Sequence, residues 1–302
     1  MVRKKKSLYG YQMILPAILI YVVFFIAPAI YGVYYSLTDW TIGKSSVNFV
    51  GIQNYIKVFQ ESELRKAIGN TFLYTFVVVV FKNLFGLLLA LAFNLNLKTR
   101  NYLRAVTFLP CILSSVVIGL VFVPILHPYG FLNTFLEAAG LGFMAQNWLT
   151  NVNIVMLSIA GVSIWQWTGY HMVIYLAGLQ GISKEYYEAS LIDGANAFQR
   201  FRKIYLPLLA PSLNINFILS MIGGLKVFSE PYALTGGGPG SASQVIALEV
   251  FEKFGRGEWG LGTALNVILM VFVILICLSL INISETTRLL SFSYAVLCLK
   301  KK

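Results

Sequence analysis

FLYTFVVVVFKNLFGLLLALAF, residues 72–93, is an apolar run interrupted mainly by Lys82 and Asn83. A helix of this length reaches about 33 Å at 1.5 Å per residue, enough to cross the hydrocarbon core of a bilayer. Comparable runs occupy residues 14–37, 106–126, 154–179, 213–232 and 261–283. The whole chain of 302 residues is 58% hydrophobic and only 12% charged, with a mean hydropathy of +0.74, far from the usage of globular domains. Backbone amides find no water inside a bilayer, so every run is expected to be helical. The expected class is an all-α polytopic membrane protein: one transmembrane domain, 1–302, with six transmembrane helices.

Lysine and arginine give an orientation. Numbering the ends alternately, one side receives Arg3 to Lys6, Lys98, Arg100, Arg104, Lys184, Arg200, Arg202, Lys203, Arg288 and Lys300 to Lys302, which is 15 charges. The other receives Lys44, Lys57, Arg65, Lys66, Lys253 and Arg256, which is 6. The positive-inside rule puts the first side, and with it both termini, in the cytoplasm. The net charge of +11 is therefore a topology signal, and no basic stripe on a soluble domain suggests a nucleic-acid partner. The opening Arg3 to Lys6 and Ala27 to Ala29 imitate a signal peptide, but apolar residues continue to Leu37, too far for one. Cys111, Cys277 and Cys298 lie in or beside apolar runs and form neither a disulfide framework nor a metal motif. His127 and His171 are expected to pack or hydrogen-bond locally.

The outer loops leave room for short amphipathic helices at 136–141 and 245–254. On the inner side a single polar segment, 183–211, is large enough for structure of its own. Glu185 to Ile192 has helical composition, Asp193 and Gly194 break it, and Asn196 followed by Gln199 matches a capping box. Phe198, Phe201 and Tyr205 then recur at helical spacing, and Pro207 and Pro211 are expected to keep this second helix from running uninterrupted into the next apolar run. Two readings compete: a docking element for a soluble partner, or a lipid anchor through Arg200, Arg202 and Lys203.

Glu188, Ala189 and Ser190, then Gly194, Ile204, Leu206 and Pro207, resemble the EAA loop of permease subunits in binding-protein-dependent ABC importers. Ser190 stands where that family usually has alanine. Residues 15–40, "FVGIQNYIKVF" at 49–59 and "LTGGGPG" at 234–240 are similar to the sugar-permease branch, of maltose type, which also takes in glycerol-3-phosphate permeases. The end beyond Ser284 follows no pattern of that branch. The resemblance implies a chain of the bacterial or archaeal cytoplasmic membrane that works beside a second, homologous permease. Two ATPase subunits would dock on the loop formed by Glu188, Ala189, Ser190, Asp193, Gly194, Ala195, Ile204, Leu206 and Pro207. They would carry the Mg-ATP, leaving this chain with no cofactor and no catalysis of its own. An extracytoplasmic binding protein would deliver a sugar-like solute. The glycine-rich "TGGGPG" lacks the Lys-Ser/Thr of a phosphate loop and is expected to be a flexible turn.

For the solute path, Ser163, Gln166, Trp167 and Tyr170 recur at helical spacing in the fourth run, where a packed aromatic stripe is an equal alternative. Alignment with the maltose permease implies lining positions at Cys111, Ser115, Ser163, Gln166, Tyr170, Ser220, Gly223, Gly224 and Val227. Lys82, mid-run, is expected to face a helix partner or an aqueous cavity, and Lys226 to snorkel at a helix end. The favoured function is a sugar or oligosaccharide importer permease. A polyol-phosphate permease and, in a different class, a self-sufficient secondary transporter are the alternatives. For the latter, or a channel, an internal repeat, intramembrane carboxylates or broken helices are expected, and no acid stands mid-run.

Overall fold

The computed structural model describes residues 14–299 apart from 45, 96 and 97, with side chains as far as residue 279. Arg3 to Lys6 and Lys300 to Lys302 lie outside the described residues, as do the side chains of Arg288 and Cys298 and all others beyond Ser284. The helices are α1 (Leu15–Ser36), α2 (Gln53–Gln60), α3 (Ser62–Asn94), α4 (Arg100–Ile112), α5 (Ser115–Ile125), α6 (Phe131–Ala138) and α7 (Val155–Gln180). They continue with α8 (Lys184–Ile192), α9 (Ala197–Leu208), α10 (Ala210–Leu225), α11 (Ser229–Thr235), α12 (Ile246–Gly255) and α13 (Trp259–Leu299). Among the described residues there is no strand, only an antiparallel bridge between Thr38 and Phe49.

By length and apolarity α1, α3 and α13 qualify as membrane spans, and five spans result if each of two bent helix pairs crosses as one. Helix α7, 26 residues long, stands outside that set because Gln166, Thr168 and His171 dilute its apolar run.

Two expected spans are not single rods. Run 106–126 is α4 and α5 meeting at 98°. Pro110 has no N–H to continue the helix, the chain tightens to a 3-10 turn over Leu109–Ile112, and Leu113 and Ser114 are extended. Run 213–232 ends its helix at Leu225, and α11 starts afresh at Ser229. Prolines also explain two widened turns. The π-turns Val22–Ile26 and Phe201–Tyr205 precede Pro28 and Pro207, whose rings displace the carbonyls of Phe24 and Lys203.

The chain divides into two compact units. The first comprises the described residues up to Glu61 together with Val250–Ile268. In it the segment after α1 is a knotted turn rather than a loose loop. Asn54 Nδ2 donates to the carbonyls of Ser36 and Thr38, each at 2.8 Å, and Ser36 Oγ and Tyr55 Oη lie 2.7 Å apart. Trp40 sits between Tyr35 and Trp259, at centroid distances of 4.3 and 4.6 Å. The Lys44 ammonium and the Asn48 amide hold the Asp39 carboxyl below its ordinary range.

The second unit comprises Ser62–Glu249 and the chain from Leu269. Its spine is α3 packed along α7. An apolar cluster of Tyr74, Val78, Val155, Ile159, Ile118 and Leu234 lies toward one end, and one of Ala90, Phe93, Met172, Tyr175 and Leu209 toward the other. Lys82 and Asn83 on α3 and Gln166 and His171 on α7 fall between them, a buried polar layer at mid-span. Close backbone approach sets the helix spacing. At Gly169 a Cβ would overlap the carbonyl oxygen of Thr107, so α7 and α4 touch main chain to main chain only because glycine stands there. The expected flexible turn at 235–240 is instead clamped. Asn70 Nδ2 donates to the carbonyls of Ser241, Ala242 and Gln244 at 2.9–3.2 Å, and Ser243 Oγ bonds both Thr235 Oγ1 and the Gly238 carbonyl. The short helix expected at 136–141 starts earlier, as α6, where Asn133 ties it to Pro128, Gln146 and Trp148; that at 245–254 corresponds to α12.

Candidate functional site

The polar segment 183–211 folds from its own sequence signals. Ser183 caps α8, its Oγ accepting from the Glu185 N–H at 3.3 Å. Helix α8 closes at Asp193, and Gly194 turns the chain at φ +71°, the Ala195 N–H returning to the Ser190 carbonyl at 3.0 Å. An added Cβ at Gly194 would meet nothing, so the left-handed backbone, not space, requires glycine. Asn196 and Gln199 form a complete capping box at 2.8 and 2.9 Å. After the π-turn the chain bends by 66° between α9 and α10.

The result is a helix, a fixed turn and a second helix whose apolar side chains point outward. Ile192 is 87% and Phe198 69% exposed, and Tyr186 and Leu191 are exposed as well. Glu188, Ala189, Asp193 and Pro207 are also on the surface; Ala195, Ile204 and Leu206 are half-buried. Ser190 is buried and donates to the Tyr187 carbonyl at 2.6 Å, so the hydroxyl that departs from alanine is satisfied within its own helix. Arg200 is committed inside the loop, bonding the Ala195 carbonyl at 2.8 Å and lying 5.3 Å over the Tyr187 ring. A lipid anchor would need that charge turned outward. Arg202 and Lys203, in contrast, are exposed, beside the exposed apolar side chains of the turn.

The path positions fall into different environments. Ser163, Gln166, Ser220, Gly224 and Val227 are buried, Cys111, Ser115 and Tyr170 half-buried, and Gly223 open. Gln166 Nε2 donates to the Leu113 carbonyl at 3.1 Å, satisfying the main chain freed by the α4–α5 break and bringing α7 beside Cys111 and Ser115. Its Oε1 is buried without a hydrogen-bond partner. Ser220 is drawn elsewhere, to Asn83 at 3.0 Å and the Asn216 carbonyl at 2.7 Å. Tyr175 Oη donates to Asn83 Oδ1 at 2.6 Å, and His171 Nδ1 pairs with Asn216 at 2.7 Å, the local role expected of this histidine. Gly224 packs against Thr75, and Val227 joins the apolar cluster.

Lys82 faces a helix partner: its Nζ donates to Ser163 Oγ at 3.0 Å, and that hydroxyl donates on to Glu230 Oε1 at 3.3 Å. Lys226 caps α10 and is exposed, as a snorkelling residue should be. No acid stands mid-run, as read from the sequence, yet Glu230, near the end of the run 213–232, is buried. The signal was present in Lys82, which has no acid in its own run, and in Glu230, whose only charged companion in its run, Lys226, is exposed.

Residues 82–286 match the family described as binding-protein-dependent transport system inner membrane component. The chain belongs to that family. Among curated relatives of this inner membrane component is the multiple sugar-binding transport system permease protein of Streptococcus mutans, 32% identical over 94% of this chain and 98% of that protein. The trehalose/maltose transport system permease protein of Thermococcus litoralis is 36% identical over 88% and 90%. In fold the chain is similar to a chain of the bacterial alginate ABC transporter solved in complex with alginate pentasaccharide-bound periplasmic protein. The TM-score is 0.79 at 23% identity, over 91% of this chain and 93% of that one. The broken spans, expected only of a secondary transporter, thus occur in a member of a binding-protein-dependent family and do not separate the two classes.

Proposed function

We propose that this chain is a permease subunit of an ATP-driven importer that moves a sugar or oligosaccharide across a bacterial or archaeal cytoplasmic membrane. The observation that carries the reading is the exposed, capped helix–turn–helix at 183–208, in a chain whose full-length relatives are sugar-transport permeases. Two ATPase subunits dock on that loop through Glu188, Ile192 and Phe198 and supply Mg-ATP, while this chain holds no nucleotide. A second permease completes the path, to which Cys111, Ser115, Gln166, Tyr170 and Gly223 contribute beside the α4–α5 break. An extracytoplasmic binding protein hands over the solute. In proteoliposomes, uptake of a saccharide should require the second permease, the ATPase pair and internal ATP, and should persist when ion gradients are collapsed. Ion-driven uptake by this chain alone would overturn the proposal.

Six crossings with both termini inside are part of the same reading, supported by the 15-to-6 charge distribution. In a cysteine-free background, Ser46→Cys and Tyr129→Cys should react with an impermeant thiol reagent in intact cells, and Ser183→Cys should not. Tyr129 is 92% exposed, whereas Ser243, in the last outer loop, is buried and bonded and would report burial rather than sidedness. Labelling of Ser183→Cys from outside would reverse the orientation and remove the docking loop from the ATPase side.

A further inference from the structure

We propose that Lys82, Ser163 and Glu230 form a bridged charge couple that positions α11, the helix beyond the break after α10, against α3 and α7. The three side chains come from three helices and are all buried, with exposures of 6%, 1% and 7%. Ser163 is suited to the centre because a hydroxyl accepts from the ammonium and donates to the carboxylate at the same time. Each charge alone would be costly in an apolar interior, and each has the other as its compensation.

The break explains why such a pin is needed. Between Leu225 and Ser229 the helical hydrogen-bond ladder stops, and Phe228 leaves helical geometry at φ −139°. Helix α11 is 7 residues long, too short to hold itself, and its direction is not inherited from α10. Apolar contacts fix its distance: Ala233 lies against Gly119 of α5, and Leu234 enters the apolar cluster. Such contacts are non-directional. The hydrogen bond to Glu230, in the first turn, sets the rotation of α11 about its own axis. Lys82 and Glu230 are on this account positioning residues for the outer part of the fifth span, acting through Ser163 and not on the solute.

Lys82→Met and Glu230→Gln each leave one buried charge unpaired and should each lower the yield of assembled importer at least fivefold. The exchange Lys82→Glu with Glu230→Lys should restore yield and uptake to within about twofold, because the hydroxyl can bridge the reversed pair. The neutral pair Lys82→Met with Glu230→Gln should recover yield but leave uptake at least fivefold low. Its spin-label distance distribution between Leu157→Cys on α7 and Tyr232→Cys on α11 should also be broadened. Ser163→Ala, which keeps both charges, should broaden the same distribution. Normal yield in both single variants, an exchange no better than the singles, wild-type distances in Ser163→Ala, or wild-type uptake in the neutral pair would each overturn the proposal. The uptake arm and the yield of assembled importer rest on the sugar-importer reading; the distance arm does not. A wild-type complex that fails to transport would sink that reading and leave the distance measurement standing.

Discussion

Gly194→Val should cut uptake at least tenfold while insertion and permease pairing stay normal. At φ +71° a β-branched side chain is a conformational outlier, and strain of this kind costs about 1–3 kcal/mol. Since about 1.4 kcal/mol is a factor of ten, relief of that strain by an altered turn is enough to take Ile192 and Phe198 out of docking register. No neighbour crowds Gly194, so the spans themselves should be untouched. Glu188→Lys should act at the same step, by reversing an exposed charge on α8. Both variants are checked by co-purification of the ATPase subunits and by the ratio of ATP hydrolysed to solute taken up. Neutralising Arg202 and Lys203 provides the opposing test. If that abolishes function while Gly194→Val and Glu188→Lys retain ATPase binding and full transport, the loop is a lipid anchor.

Gly169→Ala should sharply reduce the folded subunit, while Gly161→Ala on the same helix should be neutral or slightly stabilising. The chemical change is identical and both positions lie within α7, so helix propensity favours alanine equally, by up to about 1 kcal/mol. The surroundings differ. At Gly169 the new methyl would meet the Thr107 carbonyl oxygen and, at 2.9 Å, the Phe108 Cα; at Gly161 it would meet nothing within 4 Å. Main chain cannot rotate away as a side chain can. The penalty should reach the upper end of the about 1–3 kcal/mol typical of overpacking, or exceed it. Thermal unfolding in detergent and the yield of monodisperse protein measure it. Equal stability of the two variants would show that α4 and α7 do not meet at Thr107.

Much of the loop 183–211 was legible because its signals are local. Asp193 before Gly194 and Asn196 three residues before Gln199 each act over one turn of chain: the helix breaks at Gly194 and the capping box forms, while the Ser183 cap at the start of α8 is an equally local signal that the reading did not use. The apolar runs were legible for a similar reason, since run length against bilayer thickness needs no knowledge of neighbours. Even there, local chemistry was underread: Pro110 lies inside the run 106–126 and signals the break that the apolar count hid.

What residues determine within a few positions of themselves could be read from the sequence alone: the all-helical membrane class, the capped loop with its left-handed glycine, and membership of a permease family through the loop motif. What depends on residues far apart in the chain was decided only by tertiary structure. Asn70 clamps a glycine-rich turn more than 170 positions away, Gln166 answers a carbonyl freed at Leu113, and Ser163 joins Lys82 to Glu230. The physical reason is the cost of an unpaired polar group in an apolar medium. It drives such groups to find partners, with Gln166 Oε1 an exception, but leaves the partner's identity to helix packing, and packing here turns on where a glycine lets two backbones touch.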